Sequence, residues 1–422
     1  MPVVDETKPV ASRSVLLERD VALLTSSSVV SATGTGAMFV ALPFYAYATT
    51  GSVVLTALVT LAEYAPAVGV AQLAGVLVDR SDARRVLVAA NAALGLCTLA
   101  YLLHDNWWWL TVVAFVRSSI AQLVAPATHT LLPAVAPPGR LTEVNGVLAV
   151  GGNAARLAGP ALGGVLVGVG GLALVAVVDA ASFVLAAGLV VVVRRAMSTT
   201  RPRTAEGVVR QWVRGWAAVR EHPVLRPLVV VMAIIGFGEG FVSALLAPWM
   251  SQVADGGSAA LGLMLSLQAL GGILGGLFVV RFAGRWPALL LIGAGALGSG
   301  VLLVVMLNYP LVAPAGPWPA IVLNAIAGFP FAVYATAQAV AVQTHSVDGQ
   351  RGRIVSATYG IQGIAQLAGI SLAGPAAALL GPLIINVDTG AYLLAGALAL
   401  QTLRSLHRSP TGRPAGVAQE GG

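Results

Sequence analysis

Five charged side chains lie inside stretches of sequence that are otherwise apolar enough to cross a bilayer: Glu63, Arg117, Arg156, Asp179 and Glu239. A charge at mid-bilayer costs at least about 2.5 kcal/mol, so a charge found there calls for a partner or a function. At 1.5 Å rise per residue, all five fall roughly 12–20 Å from the ends of their segments, in one shared layer. The chemistry open to a carboxyl there is reversible protonation. Desolvation raises its pKa toward the working pH, and a neighbouring guanidinium lowers it again.

Glu63 precedes Pro66 in a segment that can kink, and Glu239 is flanked by Gly236, Gly238 and Gly240 with no arginine nearby in sequence. Both are therefore candidate proton carriers. Asp179 shares its depth with two arginines, so it reads either as a third carrier or as one member of a structural ion pair. Arg117 would tune the proton site or contact an anionic substrate group. Arg156 falls on one helical face with Gly152, Gly159 and Gly163, which points it into packing or a cavity rather than lipid. Uncharged polar groups follow in the second half of the chain: Gln268, Asn324, Gln338, Gln343, Gln362 and Gln366. They either line a hydrogen-bonding cavity wall or join neighbouring helices.

Other chemistries find no support. The histidines, His104, His129, His222, His345 and His407, fall near segment ends or in loops, and no two share a helical turn. No nucleophile stands beside a base, no Gly-Lys phosphate loop occurs, and Cys97 is the single cysteine. We expect no enzyme activity, no cofactor, no metal site and no ATP-driven step.

The elements that must position these residues are membrane spans. Of 422 residues, 57% are hydrophobic and 10% charged, whereas a soluble domain carries about 25% charged residues. Apolar runs begin near residues 20, 52, 85, 107, 143 and 171, and resume near 227, 259, 287, 318, 354 and 383. They are too long for strands and lack the alternation of a membrane barrel. The expected fold is therefore all-α and integral to the membrane, with twelve transmembrane helices in two pseudo-symmetric six-helix bundles. The expected divisions are a tail over 1–19, a bundle over 20–193, a linker over 194–224, a second bundle over 225–406 and a tail over 407–422. Within the linker, Val209, Trp212, Val213, Trp216 and Val219 recur at helical spacing, as in an interfacial amphipathic helix.

Charge sets the orientation. The formal net charge of +7 resides in short segments between apolar runs, which suits anionic headgroups and argues against nucleic acid as a partner. With a cytoplasmic N-terminus, all arginine-rich connections face inward, and the connections near 49–51, 104–106, 169–170, 253–258, 308–317 and 381–382 contain no Lys or Arg. Positive-inside asymmetry thus puts both termini in the cytoplasm of a multi-pass cell-membrane protein. Trp107, Trp108 and Trp109, with Trp249, Trp318 and Trp286, read as interface anchors.

Two motifs carry a resemblance. After the second span the chain reads GVLVDRSDARR, and Gly276 with Arg281 repeats part of it after the eighth. This resembles the signature loop of the major facilitator superfamily, G-x-x-x-D-R/K-x-G-R-R/K. Gly75, Asp79, Arg80, Arg84 and Arg85 are in place; Asp82 stands where the family has its second glycine and Ala83 where it has the first paired arginine. The resemblance implies a conformational latch, with Gly75 permitting close helix approach.

In the fifth span, Gly146, Ala155, Gly159, Pro160, Gly163 and Gly164 match the drug:proton antiporter pattern G-x8-G-x3-G-P-x2-G-G except at Ala155. Small residues admit close helix packing and Pro160 can bend the helix. Gly159-Pro160 recurs as Gly374-Pro375 in the corresponding span of the second half. Around Arg117 the fourth-span antiporter pattern survives only as the arginine. Residues 75–190 most resemble the macrolide-efflux and enterobactin-exporter branch.

That resemblance implies a secondary exporter of small amphipathic molecules (drugs, antibiotics or siderophore-like products) using protons and alternating access. The alternatives are a proton-coupled importer of the same fold and a non-transporting membrane sensor or binding protein. The expected partners are a small-molecule substrate, protons and the lipid bilayer, with the chain acting as a monomer.

Overall fold

The computed structural model describes residues 15, 18–194, 216, 219–220, 222–282, 285–313, 315–346 and 351–408. Twelve α-helices make up nearly all of it. In the first half these are α1 (Arg19–Thr50), α2 (Val53–Asp79), α3 (Ala83–Leu99), α4 (Trp107–Ala121), α5 (Val124–Val135) and α6 (Leu141–Val192). In the second they are α7 (Leu225–Gln252), α8 (Ser258–Phe282), α9 (Ala288–Val312), α10 (Trp318–Thr344), α11 (Arg351–Leu380) and α12 (Val387–Arg408). Most of the expected interfacial helix, and both tails beyond these limits, lie outside the described residues. Of the linker positions that are described, Val219 is buried in the apolar core of the second half with Leu225 and Leu228.

Two elements depart from one helix per span. α4 and α5 together form a single crossing over Trp107–Val135. α6 is two crossings: its 52 residues would reach about 78 Å as one rod, far beyond the roughly 30 Å hydrocarbon layer. The helix breaks at Gly170 and Gly171, and Gly171 takes φ +63°, a left-handed backbone that glycine adopts without penalty. Contacts with α1 show the reversal. Gly151 meets Val29 and Gly163 meets Ala37, whereas Ser27 Oγ donates to the Ala186 carbonyl at 3.0 Å. The first arm of α6 thus runs parallel to α1 and the second arm antiparallel. The membrane-length helices therefore amount to twelve crossings, with the outer ends of α1 and α12 on one face. We call this the terminal face and its opposite the far face.

Local chemistry sets the turns. α1 closes on Gly51 at φ +61°, whose N–H donates to the Tyr47 carbonyl at 2.8 Å, and Ser52 caps α2 by accepting from the Leu55 N–H at 3.3 Å. Two residues thus suffice to join α1 to α2. Asp82 accepts from the backbone N–H groups of Arg84 and Arg85 at 2.9 and 3.1 Å and so begins α3. That capping role accounts for an aspartate where the family loop has glycine.

The two halves touch through small residues near the far face. On the first arm of α6, Gly151, Ala155, Gly159 and Gly163 recur every fourth residue; Ala155 is buried, and Gly151, Gly159 and Gly163 lie against α1. A Cβ on Gly159 would come 2.9 Å from Gly36 Cα, and one on Gly163 would come 2.6 Å from Ala37 Cα. The adjacent row, Pro160 and Gly164, faces α8: a Cβ on Gly262 would lie 3.1 Å from Gly164 Cα, and Ser258 Oγ donates to the Gly164 carbonyl at 2.8 Å. The Ala161 N–H donates to Ser266 Oγ at 2.9 Å in the same seam. The symmetry-related seam joins α11 to α2, where a Cβ on Gly374 would lie 2.9 Å from Val54 Cα. Each Gly-Pro step therefore meets the second helix of the opposite half. An apolar cluster closes the gap between the seams, with Val40 and Ala57 packed among Phe241, Leu245, Leu261 and Ala373.

One anchor is corrected by the fold. Trp249 is not at an interface: it is fully buried, and its indole N–H donates to the Leu307 carbonyl at 3.3 Å. Trp107, Trp108, Trp286 and Trp318 are exposed on the helix bundle, as lipid-facing or interfacial rings would be.

Candidate functional site

The first half gathers its charges around one guanidinium. Arg117 on α4 donates through Nη2 to Asp179 Oδ2 on the second arm of α6 at 2.7 Å. Its Nε reaches Thr98 Oγ1 on α3 at 3.2 Å, and Phe183 lies 5.7 Å from the guanidinium carbon. Asp179 is fully buried and Arg117 nearly so, 0% and 5% exposed, so this is a desolvated pair with a fixed geometry. Gly34 makes room for it, since a Cβ there would lie 2.4 Å from Asp179 Oδ1. Glu63 on α2 lies within reach of the Arg117 charge but forms no ion pair with it. Its Oε2 is buried without a hydrogen-bond partner, and Ser118 Oγ donates to its backbone carbonyl.

The second half gathers polar groups around Glu239. Tyr392 on α12 donates to Glu239 Oε1 at 2.9 Å, and the Gln362 amide on α11 also bonds the carboxyl. Gln362 Oε1 in turn accepts from Gln338 Nε2 on α10 at 3.1 Å. The three glycines beside Glu239 create the space. A Cβ on Gly236 would meet the Gln362 carbonyl at 2.5 Å, one on Gly238 would lie 2.9 Å from Asp388 Cα, and one on Gly240 would meet the Gln366 carbonyl at 2.4 Å. Each glycine lets a neighbouring helix approach α7 closely beside Glu239.

The two clusters meet across the halves. Ser243, one turn beyond Glu239, lies with its Oγ 3.5 Å from the hydroxyl of Tyr64, the neighbour of Glu63. Gln366 Nε2 donates to Ser243 Oγ at 3.3 Å. Glu63, Tyr64, Glu239, Gln362 and Gln366 are all half-buried, and the Tyr64–Ser243 contact puts them where the two halves meet. Arg156 lies on the α8-facing row of α6, apart from both clusters. It continues the row of Pro160 and Gly164 by one turn toward the terminal face, where it is exposed. Of the two places expected for it, packing or a cavity, the first is not met: the packed row is 151, 155, 159 and 163, one residue away. Gly146 is also exposed, with nothing within 4 Å of a built Cβ, so it packs against no helix here.

Other expected residues join neither cluster in the hydrogen bonds described. Asn324 is buried and donates to the Met264 carbonyl at 3.1 Å, which joins α10 to α8. Gln268 is half-buried on α8, and a Cβ on Gly328 would meet its carbonyl at 2.1 Å. Gln343 is exposed near the end of α10. At the terminal face Arg84 donates to the carbonyls of Val190, at 3.2 Å, and Val191, tying α3 to the end of α6. Arg85 pairs with Asp82 at 3.7 Å, Arg80 is exposed, and Asp79 is half-buried at the end of α2. The close approach expected at Gly75 is absent, because a Cβ there, or on Gly276, would meet nothing within 4 Å. The innermost glycine contact between α2 and α11 is Gly363 on Val68, at 2.9 Å, and the helices carry no such contact toward Gly75.

Histidine serves structure at this face. His222 Nδ1 accepts from the N–H groups of Val224 and Leu225 at the start of α7, and its ring stands edge-on to His345 at 5.3 Å. Burial, then the charge of His345, holds His222 below the usual imidazole range.

Sequence reasoning missed Asp388, Tyr392, Tyr64 and Ser243. Asp388 lies so near the start of its apolar run that it resembles an interfacial residue. Its signal was nonetheless available: an acid inside the last apolar run, with a tyrosine one turn further on.

The buried ion pair makes a prediction. Arg117→Leu or Asp179→Asn alone strands a charge and should destabilise the detergent-solubilised protein by about 3–5 kcal/mol, whereas the double variant should recover most of that loss. Thermal unfolding of the four proteins measures it. Additive losses in the double variant would refute the pairing.

Comparison with known proteins agrees with this architecture. Residues 24–370 match the family model described as Major Facilitator Superfamily. Macrolide efflux protein A of Streptococcus pyogenes is 25% identical, over 79% of this chain and 83% of that protein. The multidrug efflux pump Tap of Mycobacterium tuberculosis (strain ATCC 25618 / H37Rv) is 26% identical, over 94% of this chain and 98% of the pump. Among solved structures, peptide transporter POT in complex with sulfate superposes with a TM-score of 0.74 at 15% identity, covering 92% of this chain and 95% of that one. A bacterial homolog of the human lysosomal transporter Spinster, in an inward-facing and unoccupied conformation, gives 0.71 at 16% identity, over 93% and 98%. At those identities the structures attest the fold. With the twelve-crossing architecture and a family match over most of its length, this chain belongs to the Major Facilitator Superfamily.

Proposed function

We propose that the protein is a monomeric exporter that moves small amphipathic molecules across the cell membrane by proton antiport. One observation carries the mechanism. Two half-buried acidic residues, Glu63 and Glu239, lie where the halves meet, while small-residue seams close the far face beyond them. Positive-inside asymmetry assigns the terminal face to the cytoplasm, so the site opens inward in this conformation. The efflux roles in the relatives' names, macrolide and multidrug, support outward transport.

In this reading, a substrate enters from the cytoplasm and lies against the apolar walls beside Glu239, Gln362 and Gln366. Reversing the arrangement parts the Gly164–Ser258 and Gly374–Val54 seams and closes the cytoplasmic ends. Protons from outside then occupy the carboxyls and release the substrate. Arg117 stays with Asp179 as a fixed strut. Asp79, Arg80, Arg84 and Arg85 act on the closing of the cytoplasmic ends, with Gly75 and Gly276 allowing α2 and α8 to approach the opposite half when those ends meet.

Three measurements test the proposal. First, in proteoliposomes loaded with a transported dye or antibiotic, Glu63→Gln and Glu239→Gln should each cut pH-driven flux at least tenfold while the protein stays folded; full flux in both single variants and in the double variant removes these acids as couplers. Second, Asp79→Asn should slow turnover but leave binding within a few-fold, because the residue lies at the rim and not in the mid-membrane layer. A large loss of binding by the purified variant would contradict the latch. Third, cysteine at Gly257, exposed and with nothing within 4 Å of its Cβ position, should react with an impermeant reagent from outside the cell in a Cys97-free background. Reaction from the cytoplasmic side alone would invert the topology.

A further inference from the structure

The two halves differ in how they neutralise buried acid. In the first, Arg117 pairs with Asp179. In the second, residues 227–280, 286–350 and 354–403 contain no lysine or arginine. Yet two acids lie inside that half. Asp388 is 3% exposed, and its Oδ1 has no hydrogen-bond partner. It packs on the glycine next to Glu239, since a Cβ on Gly238 would come 3.0 Å from that same Oδ1. Tyr392, one turn beyond Asp388 on α12, donates to Glu239 Oε1 at 2.9 Å, so both acids lie in the one interface between α7 and α12.

The surroundings supply hydrogen bonds but no positive charge. From α10 comes Tyr334, 1% exposed, its ring 6.0 Å from Tyr392 and its hydroxyl unpartnered. α11 contributes Gln362 and, beyond it, Tyr359; α2 of the first half contributes Tyr64. No titratable group of α9 is among those acting on the two acids. Two carboxylates in a medium of low dielectric with no counter-cation do not both ionise.

We propose that Asp388 and Glu239 form one proton-sharing pair, a cation site belonging to the second half alone. Asp388, fully enclosed, is the member that keeps its proton. Glu239, half-buried where the halves meet, is the member that exchanges: its O–H bond breaks, the proton passes to water between the halves, and the remaining single negative charge is held by the Tyr392 hydroxyl and the Gln362 amide. The proposal deepens the reading of Glu239 as a carrier, but it concerns protonation and is tested without transport.

The experiment is an infrared titration of the carboxyl C=O band on the purified full-length protein in lipid, in a Glu63→Gln background to remove the other half-buried acid. The parent should lose two coupled protons in separate steps. Asp388→Asn should move the Glu239 step, and Glu239→Gln the Asp388 step, by about one pH unit or more, each remaining acid ionising more readily once its neighbour is neutral. A parent curve equal to the sum of the two single-variant curves would overturn the pair. Coupling is reciprocal, so the Glu239→Gln arm decides the matter if Asp388→Asn does not fold. Repeating the titration in sodium and in choline buffers separates the ligand: loss of the protonated band on adding sodium at fixed pH would overturn the proton assignment. Coupled titration in a protein without pH-driven flux would keep the pair and remove the antiport reading instead.

Discussion

Charge in hydrocarbon is the constraint from which most of this structure follows. An ionised group facing lipid costs several kcal/mol, and every backbone polar group must be satisfied within its own helix. The charged and polar groups of the middle layer therefore collect where helices face one another or where the two halves meet. That placement requires helices to approach closely, and close approach requires side chains that occupy almost no volume. The glycine rows of α6 and α11, and the three glycines around Glu239, thus serve the same end as the charges themselves.

The halves meet that constraint differently. The first uses a guanidinium that cannot lose its proton, fixed by Asp179, Thr98 and Phe183. Such a pair is rigid, and removing one partner is more damaging than the pair is stabilising. The second half uses neutral donors, Tyr392 and Gln362, which tolerate either protonation state of Glu239. A fixed strut in one bundle and an adaptable polar nest in the other divide structural and exchange duties between two similar folds.

Much of the fold was legible from residue type alone, because hydrophobic length and the distribution of arginine are one-dimensional properties. The layer of Glu63, Arg117, Asp179 and Glu239 was legible for the same reason. What failed was angular. Arg156 was assigned to the glycine face through positions 152, 159 and 163, but a helix wheel read without its neighbour does not say which of two adjacent rows is packed. Gly75 was expected at a close approach that this conformation does not make, and a single sequence carries no sign of which conformation it will adopt. Asp388 went unseen because depth was judged from the end of an apolar run, while its burial arises from Gly238 on another helix, some 150 residues away in sequence.

The glycine reversal within α6 bears on how the chain is made. A ribosome emits these 52 residues as one apolar stretch, without a polar connection to mark where the first crossing ends. A crossing that entered the bilayer by itself would leave the next one, equally apolar, exposed to water. The arrangement favours insertion of both arms together as a preformed hairpin, with Gly170 and Gly171 as its tip. The exposed tip is only residues 168–170, so a protease or an antibody on the far side of the membrane would meet a short apolar turn there.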